Sequence, residues 1–213
     1  MKNRTIICIS RQLGSGGKNI AQKLAKQLEI EFYDQKLIEE TAKESGMCRE
    51  TVEELEETPT NSLLYSMYST PFFGGFGFNP VVDLPMTDRL FVTQADIIRE
   101  AAKKGSCVIV GRCADYILKD DPDLFTVFIH RDQEERVNQI SKTYDISLKK
   151  AEELVKKGDK KRSHYYNYYS DRHWGEAENY DMTINSDILG EDYTVELIVK
   201  CLEKRALRIK ARG

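Results

Sequence analysis

Short apolar runs alternate along the chain with stretches whose apolar residues fall three and four positions apart. The first run, "TIICIS" over Thr5–Ser10, is β-branched and bounded by a turn, which predicts a buried strand. Ile20, Ala21, Leu24, Ala25 and Leu28 then recur at helical spacing and predict a helix from about Lys18 to Leu28. "IEFYD" reads as a second short strand ending at Asp34, and "QKLIEETAKESG" as a helix that Gly46 caps. "RETVEELEE" reads as a third, acidic helix. From Thr87 the alternation resumes with a helix ending near Gly105, the strand "CVIVG", a short helix from near Arg112 and the strand "LFTVFIH". "DQEERVNQI" carries Asp132 and Glu135 at capping-box spacing, with Val137 and Ile140 on the buried side. A helix "SLKKAEELVKKG" starting at Ser147 precedes the basic cluster "DKKR" and a tyrosine-rich stretch. A strand "DMTIN" and a C-terminal helix over Tyr193 to Arg208 close the chain. Five short apolar strands alternating with helices predict an α/β fold whose mostly parallel sheet is covered on both faces.

Residues 58–86 break this pattern. They hold four of the five prolines, and six aromatics lie between Tyr65 and Phe78. The segment reads as an insertion or lid loop. Exposed aromatics want a partner, so residues 63–78 suit contact with a second copy of the chain; folding back onto the core is the other reading.

Composition narrows the class. With 213 residues, 40% hydrophobic and 31% charged, the chain is an ordinary globular one, long enough for one large domain or a domain with an insertion. A net charge of −3 argues against a nucleic-acid partner. Charge is nevertheless uneven: residues 29–57 hold eleven acids against three bases, whereas 149–162 hold seven bases against three acids. The five cysteines are scattered without a C-x-x-C pair and there are only three histidines, which disfavours a structural metal site. The N-terminus lacks the apolar run of a signal peptide and no stretch is long enough to span a membrane, so a cytoplasmic protein without a membrane partner is expected.

The chemistry starts at "ISRQLGSGGKNIAQKLA", residues 9–25, where Gly14, Gly16 and Gly17 separate a strand from a helix. Such a turn aims successive backbone N–H groups at one spot beside the positive end of a helix, where phosphate binds. The spelling departs from G-x-x-x-x-G-K-[ST]: six residues before Lys18 stands Gln12, and after it Asn19. In this register Lys18 reaches the β- and γ-phosphates, and Asn19 replaces the hydroxyl that normally meets magnesium, so Ser15 or water would compensate. Two rivals stand beside it. Gly14-x-Gly16 with acidic Asp34 resembles the start of a dinucleotide fingerprint, but its third glycine falls at Asn19 and a lysine is foreign to it. A plain turn would sacrifice chain entropy at three glycines without need.

Further passages carry a resemblance to the cytidylate kinase-like proteins of the P-loop nucleoside monophosphate kinase group. "FYDQKLIEE" follows the loop; "VIVGRCADYIL" is similar to the G-R-D segment of cytidylate kinases, with Cys113 in place of its aspartate; "PDLFTVFIHRDQEER", "DKKRSHYYNYY" and "YDMTINSDILG" resemble the P-D-A strand with its arginine-bearing helix, the D-x-x-R lid segment and the final strand. The resemblance implies a P-loop NTPase fold with five parallel strands in the order 2-3-1-4-5. It also implies ATP with Mg2+ as donor, an acceptor-side region at 47–90 and a helical lid at about 144–172, all within one domain. It places Gly14, Ser15, Gly16, Gly17 and Lys18 on the ATP phosphates, and Arg112, Asp159 and Arg162 on the acceptor; the positions of Asn19 after the lysine and of Asp34 at the end of the second strand add the first to the ATP-binding and the second to the acceptor-binding candidates. Lys18, Arg162 and Arg136 become the catalytic cations. Glu40 stands where cytidylate kinases carry an acceptor-binding arginine, a second departure beside Cys113.

Phosphoryl transfer requires alignment and neutralisation of charge, which basic residues in a closing segment would supply. A phosphate acceptor needs no base, whereas an alcohol acceptor makes Asp34 the candidate. The expected activity is an ATP-dependent kinase of a small nucleotide-like acceptor, CMP or dCMP first; a nucleotide-binding regulatory protein is the alternative. His130 reads as a satisfied strand end and Trp174 as a core or hinge aromatic. Tyr165, Tyr166, Tyr168 and Tyr169 read as packing residues with hydroxyls outward.

Overall fold

Alternate residues of the buried strands face opposite helical layers. The computed structural model describes residues 4–55 and 85–210. Strands β1 (Ile6–Arg11), β2 (Glu31–Tyr33), β3 (Cys107–Val110), β4 (Leu124–His130) and β5 (Met182–Asn185) form a parallel sheet in the order 2-3-1-4-5. Ile6 of the central strand pairs with Cys107 on one side and Leu124 on the other. The helices are α1 (Gly17–Leu28), α2 (Gln35–Ser45), α3 (Arg49–Leu55), α4 (Met86–Lys104), α5 (Ala114–Ile117), α6 (Gln133–Tyr144), α7 (Leu148–Ser170) and α8 (Ser186–Lys210).

On one face Ile7, Ile9, Val108, Val127 and Ile129 pack against Leu24 of α1 and Ile198 of α8. On the other, Ile6, Cys8, Cys107 and Ile109 pack against Leu37 of α2 and Ile98 of α4. Both faces being covered, the central strands read as continuous apolar runs rather than alternating ones. Gly46 ends α2 in the left-handed region (φ 70), as its place in the sequence predicts. Most of the aromatic segment lies outside the described residues, and with it the expected contact surface at 63–78. The described parts of 47–90 include α3 and the start of α4.

Four local expectations are corrected. The basic cluster and the tyrosines are not a separate stretch after Gly158: α7 runs unbroken from its cap at Ser147, whose Oγ accepts from the Lys150 N–H, to Ser170. Gly158 is interior because a Cβ there would lie 2.8 Å from Leu13 Cδ2. Three of the four tyrosine hydroxyls turn inward: Tyr166 donates to Asp115 (2.7 Å), Tyr169 to Asp88 (2.6 Å) and Tyr165 to Gln94 (3.4 Å), because α4 and α5 present buried acceptors to that face. Asp132 sits at the N-cap of α6 without capping it, and accepts instead from Asn185 Nδ2. The final stretch, α8, is two helices joined at a kink at Gly190 (φ 70, ψ 168): a short one from Ser186, which the sequence reading lacked, precedes the C-terminal helix expected over Tyr193 to Arg208.

Candidate active site

The sheet order changes direction at β1, and the carboxyl ends of strands beside such a point form a crevice. A cavity of about 460 Å³ opens there. Its floor is the β1–α1 turn, which contributes Arg11, Gln12, Gly14, Gly16, Lys18 and Asn19; Asp34 follows β2, Arg112 follows β3, and Arg162 enters from α7.

The turn is tightly wound. Gly14 (φ 80) and Gly16 (φ 76) are left-handed, and Gly16 is the N-cap of α1. The Gln12 N–H donates to the Ile129 carbonyl (3.0 Å), and the Ser15 hydroxyl donates back to the Gln12 carbonyl (2.9 Å). Ser186 at the head of α8 donates to the Ser15 carbonyl (2.7 Å) and fastens the turn from behind. The first-turn N–H groups of α1 have no intrahelical acceptor, so the turn presents donors and a positive dipole end to the cavity.

The cations divide into two sets. Lys18 Nζ lies 2.8 Å from Asp34 Oδ2; the lysine side chain is 53% exposed and the aspartate 8%. Asp34 is the N-cap residue of α2 but makes no side-chain cap, because its carboxylate is turned to Lys18. Arg162 lines the cavity and its Nη1 donates to the Arg11 carbonyl (3.3 Å). Arg112 is buried and lies in a run of three left-handed residues: Gly111 (φ 69), Arg112 (φ 57) and Cys113 (φ 55). Non-glycine residues in that region cost on the order of 1 kcal/mol each, strain that a surrounding structure must impose. Cys113 is packed with Tyr165 and Tyr166, which fixes the turn and delivers Arg112 to the cavity.

Arg136 and Asp159 stand apart from this lining. Arg136 Nε donates to the Arg131 carbonyl (3.0 Å) and Nη1 to the Leu13 carbonyl (3.2 Å) and to Asp159 Oδ2. Asp159 Oδ1 accepts from the Leu13 N–H (2.8 Å). Expected as a cation and an acceptor ligand, both side chains instead hold the backbone of the glycine turn and do not line the cavity. Trp174 stands edge-on to Phe128 at 5.2 Å, in the packed setting its sequence position suggested.

The side chains expected near magnesium are also engaged. The Ser15 hydroxyl is used within the turn, and Asn19 Nδ2 donates to Glu191 Oε1 (3.0 Å). Among the described residues no cluster of three metal-ligating side chains occurs. The Asn19 bond is made by Nδ2, so its amide oxygen is the side-chain atom that would meet a magnesium ion brought with a nucleotide.

Sequence reasoning missed Arg11 and Glu191. Glu191 reaches Asn19 from α8, and a Cβ at Gly16 would lie 2.9 Å from its Oε1. Neither contact has a signal in spacing, since each joins segments far apart in the chain.

A model of the cytidylate kinase-like family matches residues 6–188. In structure, an uncharacterized protein from Eubacterium ventriosum ATCC 27560 is similar over 94% of this chain and 99% of its own, at 28% identity and a TM-score of 0.70. Shikimate kinase from Bacteroides thetaiotaomicron is similar over 96% and 99%, at 13% identity and a TM-score of 0.53. Shikimate kinase from Acinetobacter baumannii, in complex with shikimate, is similar over 96% of each chain, at 12% identity and 0.52. The likeness to the shikimate kinases is one of fold. No curated protein matches the chain. Among the described residues no helix is long and apolar enough to cross a membrane.

Proposed function

The chain belongs to the cytidylate kinase-like family, and on that premise we propose that it is an ATP-dependent phosphotransferase acting on a small nucleotide-like acceptor. One observation carries the reading: a glycine turn, three arginines and a lysine converge with a single buried aspartate on one cavity at the carboxyl edge of the sheet. That distribution suits a polyanion whose charge must be neutralised while one phosphoryl group moves.

In this reading the amides of the loop over Gly14–Asn19 hold the donor phosphates, Arg162 bears on the transferring group, and Arg112 and Asp34 face the acceptor. Asp159 and Arg136 act one step back, by fixing the loop. A phosphate acceptor brings its own nucleophilic oxygen, and Arg112 then orients it. A hydroxyl acceptor would pass its proton to Asp34. CMP and dCMP are the first acceptors to test because the family is cytidylate kinase-like; Glu40 and Cys113, which stand where cytidylate kinases carry other residues, argue for a panel wider than cytidine nucleotides. Magnesium belongs to the ATP complex and is counted with the substrate.

The second reading is a nucleotide-binding regulatory protein, favoured by the ties that engage Lys18 with Asp34 and Asn19 with Glu191. Incubation with MgATP and a panel of nucleoside monophosphates and hydroxyl acceptors separates the two. ADP released only with one acceptor supports the transferase; ATP bound with no ADP formed over the whole panel supports the regulator.

A further inference from the structure

The phosphate-loop pattern can be laid on this chain in two registers. With its lysine on Lys18, its first glycine falls on Gln12. Moved back by one residue, the first glycine falls on Arg11, the last on Gly16, the lysine on Gly17 and the Ser/Thr on Lys18. The structure favours the second register. Gly16, not Gly17, is the left-handed residue that caps α1. Gly17 is buried, and a Cβ built on it would lie 2.5 Å from Arg11 Cβ and 3.1 Å from Arg11 Cγ. The pattern's glycine and lysine have therefore exchanged places: the large cationic side chain comes from the end of β1, and the residue it passes over has no side chain.

Lys18 is committed elsewhere. Its ammonium is paired with Asp34 at 2.8 Å, on the wall formed by β2. Arg11 is nine-tenths buried at the base of the loop and lines the cavity. An arginine there offers a fixed charge and a planar fork that meets two phosphate oxygens at once, where a lysine offers a point charge.

We propose that Arg11 is the catalytic residue that contacts the nucleotide phosphates in place of the loop lysine, and that Lys18 is a positioning residue that orients Asp34 toward the acceptor. The assignment rests on the triphosphate-binding part of the reading above. It converts a loop that looks defective into one with the same charge delivered from the opposite end of the turn.

Titration calorimetry with ATP, alongside turnover with the best acceptor of the panel, tests it. Arg11→Met keeps the packing over Gly17 and is expected to weaken ATP binding by about tenfold or more. Lys18→Met is expected to keep ATP affinity within about threefold while turnover collapses. Gly17→Lys alone should lower the unfolding temperature, because its Cβ meets Arg11. Adding Arg11→Gly should restore both folding and ATP affinity. The assignment is overturned if Lys18→Met abolishes ATP affinity while Arg11→Met retains it, or if the exchanged variant folds and does not bind ATP. Wild-type protein that binds no ATP overturns the phosphotransferase reading as well, an outcome distinct from a failure confined to the variants.

Discussion

Asp159 and Arg136 are bonded to each other and together clamp the Leu13 peptide, the aspartate accepting from its N–H and the arginine donating to its carbonyl. Side-chain exposures of 17% and 7% put this pair in a setting where losing one partner strands the other. Asp159→Ala is expected to cost about 3 kcal/mol in urea unfolding, because a buried guanidinium loses its counter-ion. Replacing both, as Asp159→Leu with Arg136→Met, should recover part of that loss. A double variant whose loss equals the sum of the two single losses would show that the two residues act independently.

Gly14 is constrained twice over, by its backbone angle and by its neighbour. It has φ +80, and a Cβ there would lie 2.8 Å from the Arg136 carbonyl oxygen, which is backbone and cannot swing aside. Gly14→Ala should reduce ATP affinity by about tenfold or more. Gly46→Ala is the matched control: φ +70 with nothing within 4 Å of the added carbon. It should cost about 1 kcal/mol in stability and leave ATP affinity in place. Equal effects on binding would show that backbone strain alone, and not the loop's shape, is being read.

Arg162→Ala should act on turnover. The side chain borders the cavity from α7 and touches the loop through the Arg11 carbonyl. Charge placed at a transferring group matters most when that group moves, so kcat is expected to fall by roughly a hundredfold with KM for ATP little changed. A rise in KM at constant kcat would assign Arg162 to ground-state binding.

Asp115 makes a pH prediction. Burial raises its pKa above the ordinary 3.8, against the lowering effect of the Tyr166 hydroxyl bonded to it. In the window between 3.8 and the raised value the native state binds this proton and the unfolded chain does not. Stability therefore falls as pH rises through that window. Asp115→Asn keeps an acceptor for Tyr166 and should flatten this decline in urea midpoints measured from about pH 4 to about pH 7. An unchanged slope would place the pH dependence elsewhere.

The parts of the fold that local pattern controls were legible in the sequence. The central strands carry apolar residues toward both helical layers, Gly46 supplies a left-handed cap, and Ser147 caps α7. The glycine turn and its place between strand and helix were equally plain. What escaped depends on partners distant in the chain. Gly158 reads as a stop, yet it is interior because Leu13 needs the room. The hydroxyls of Tyr166 and Tyr169 turn inward only because Asp115 and Asp88 are there to accept. The register proposed for the loop rests instead on a local approach, of Arg11 to Gly17, that matching a pattern does not choose.

The mooring of α7 bears on how such a catalyst would work. Arg162 lies between two anchorages, the Asp159 clamp on Leu13 and the Tyr165, Tyr166 and Tyr169 bonds to α4 and α5. Bonds at both of these points set Arg162 at the edge of the crevice in this structure. A swing of this segment over the crevice would have to break those bonds.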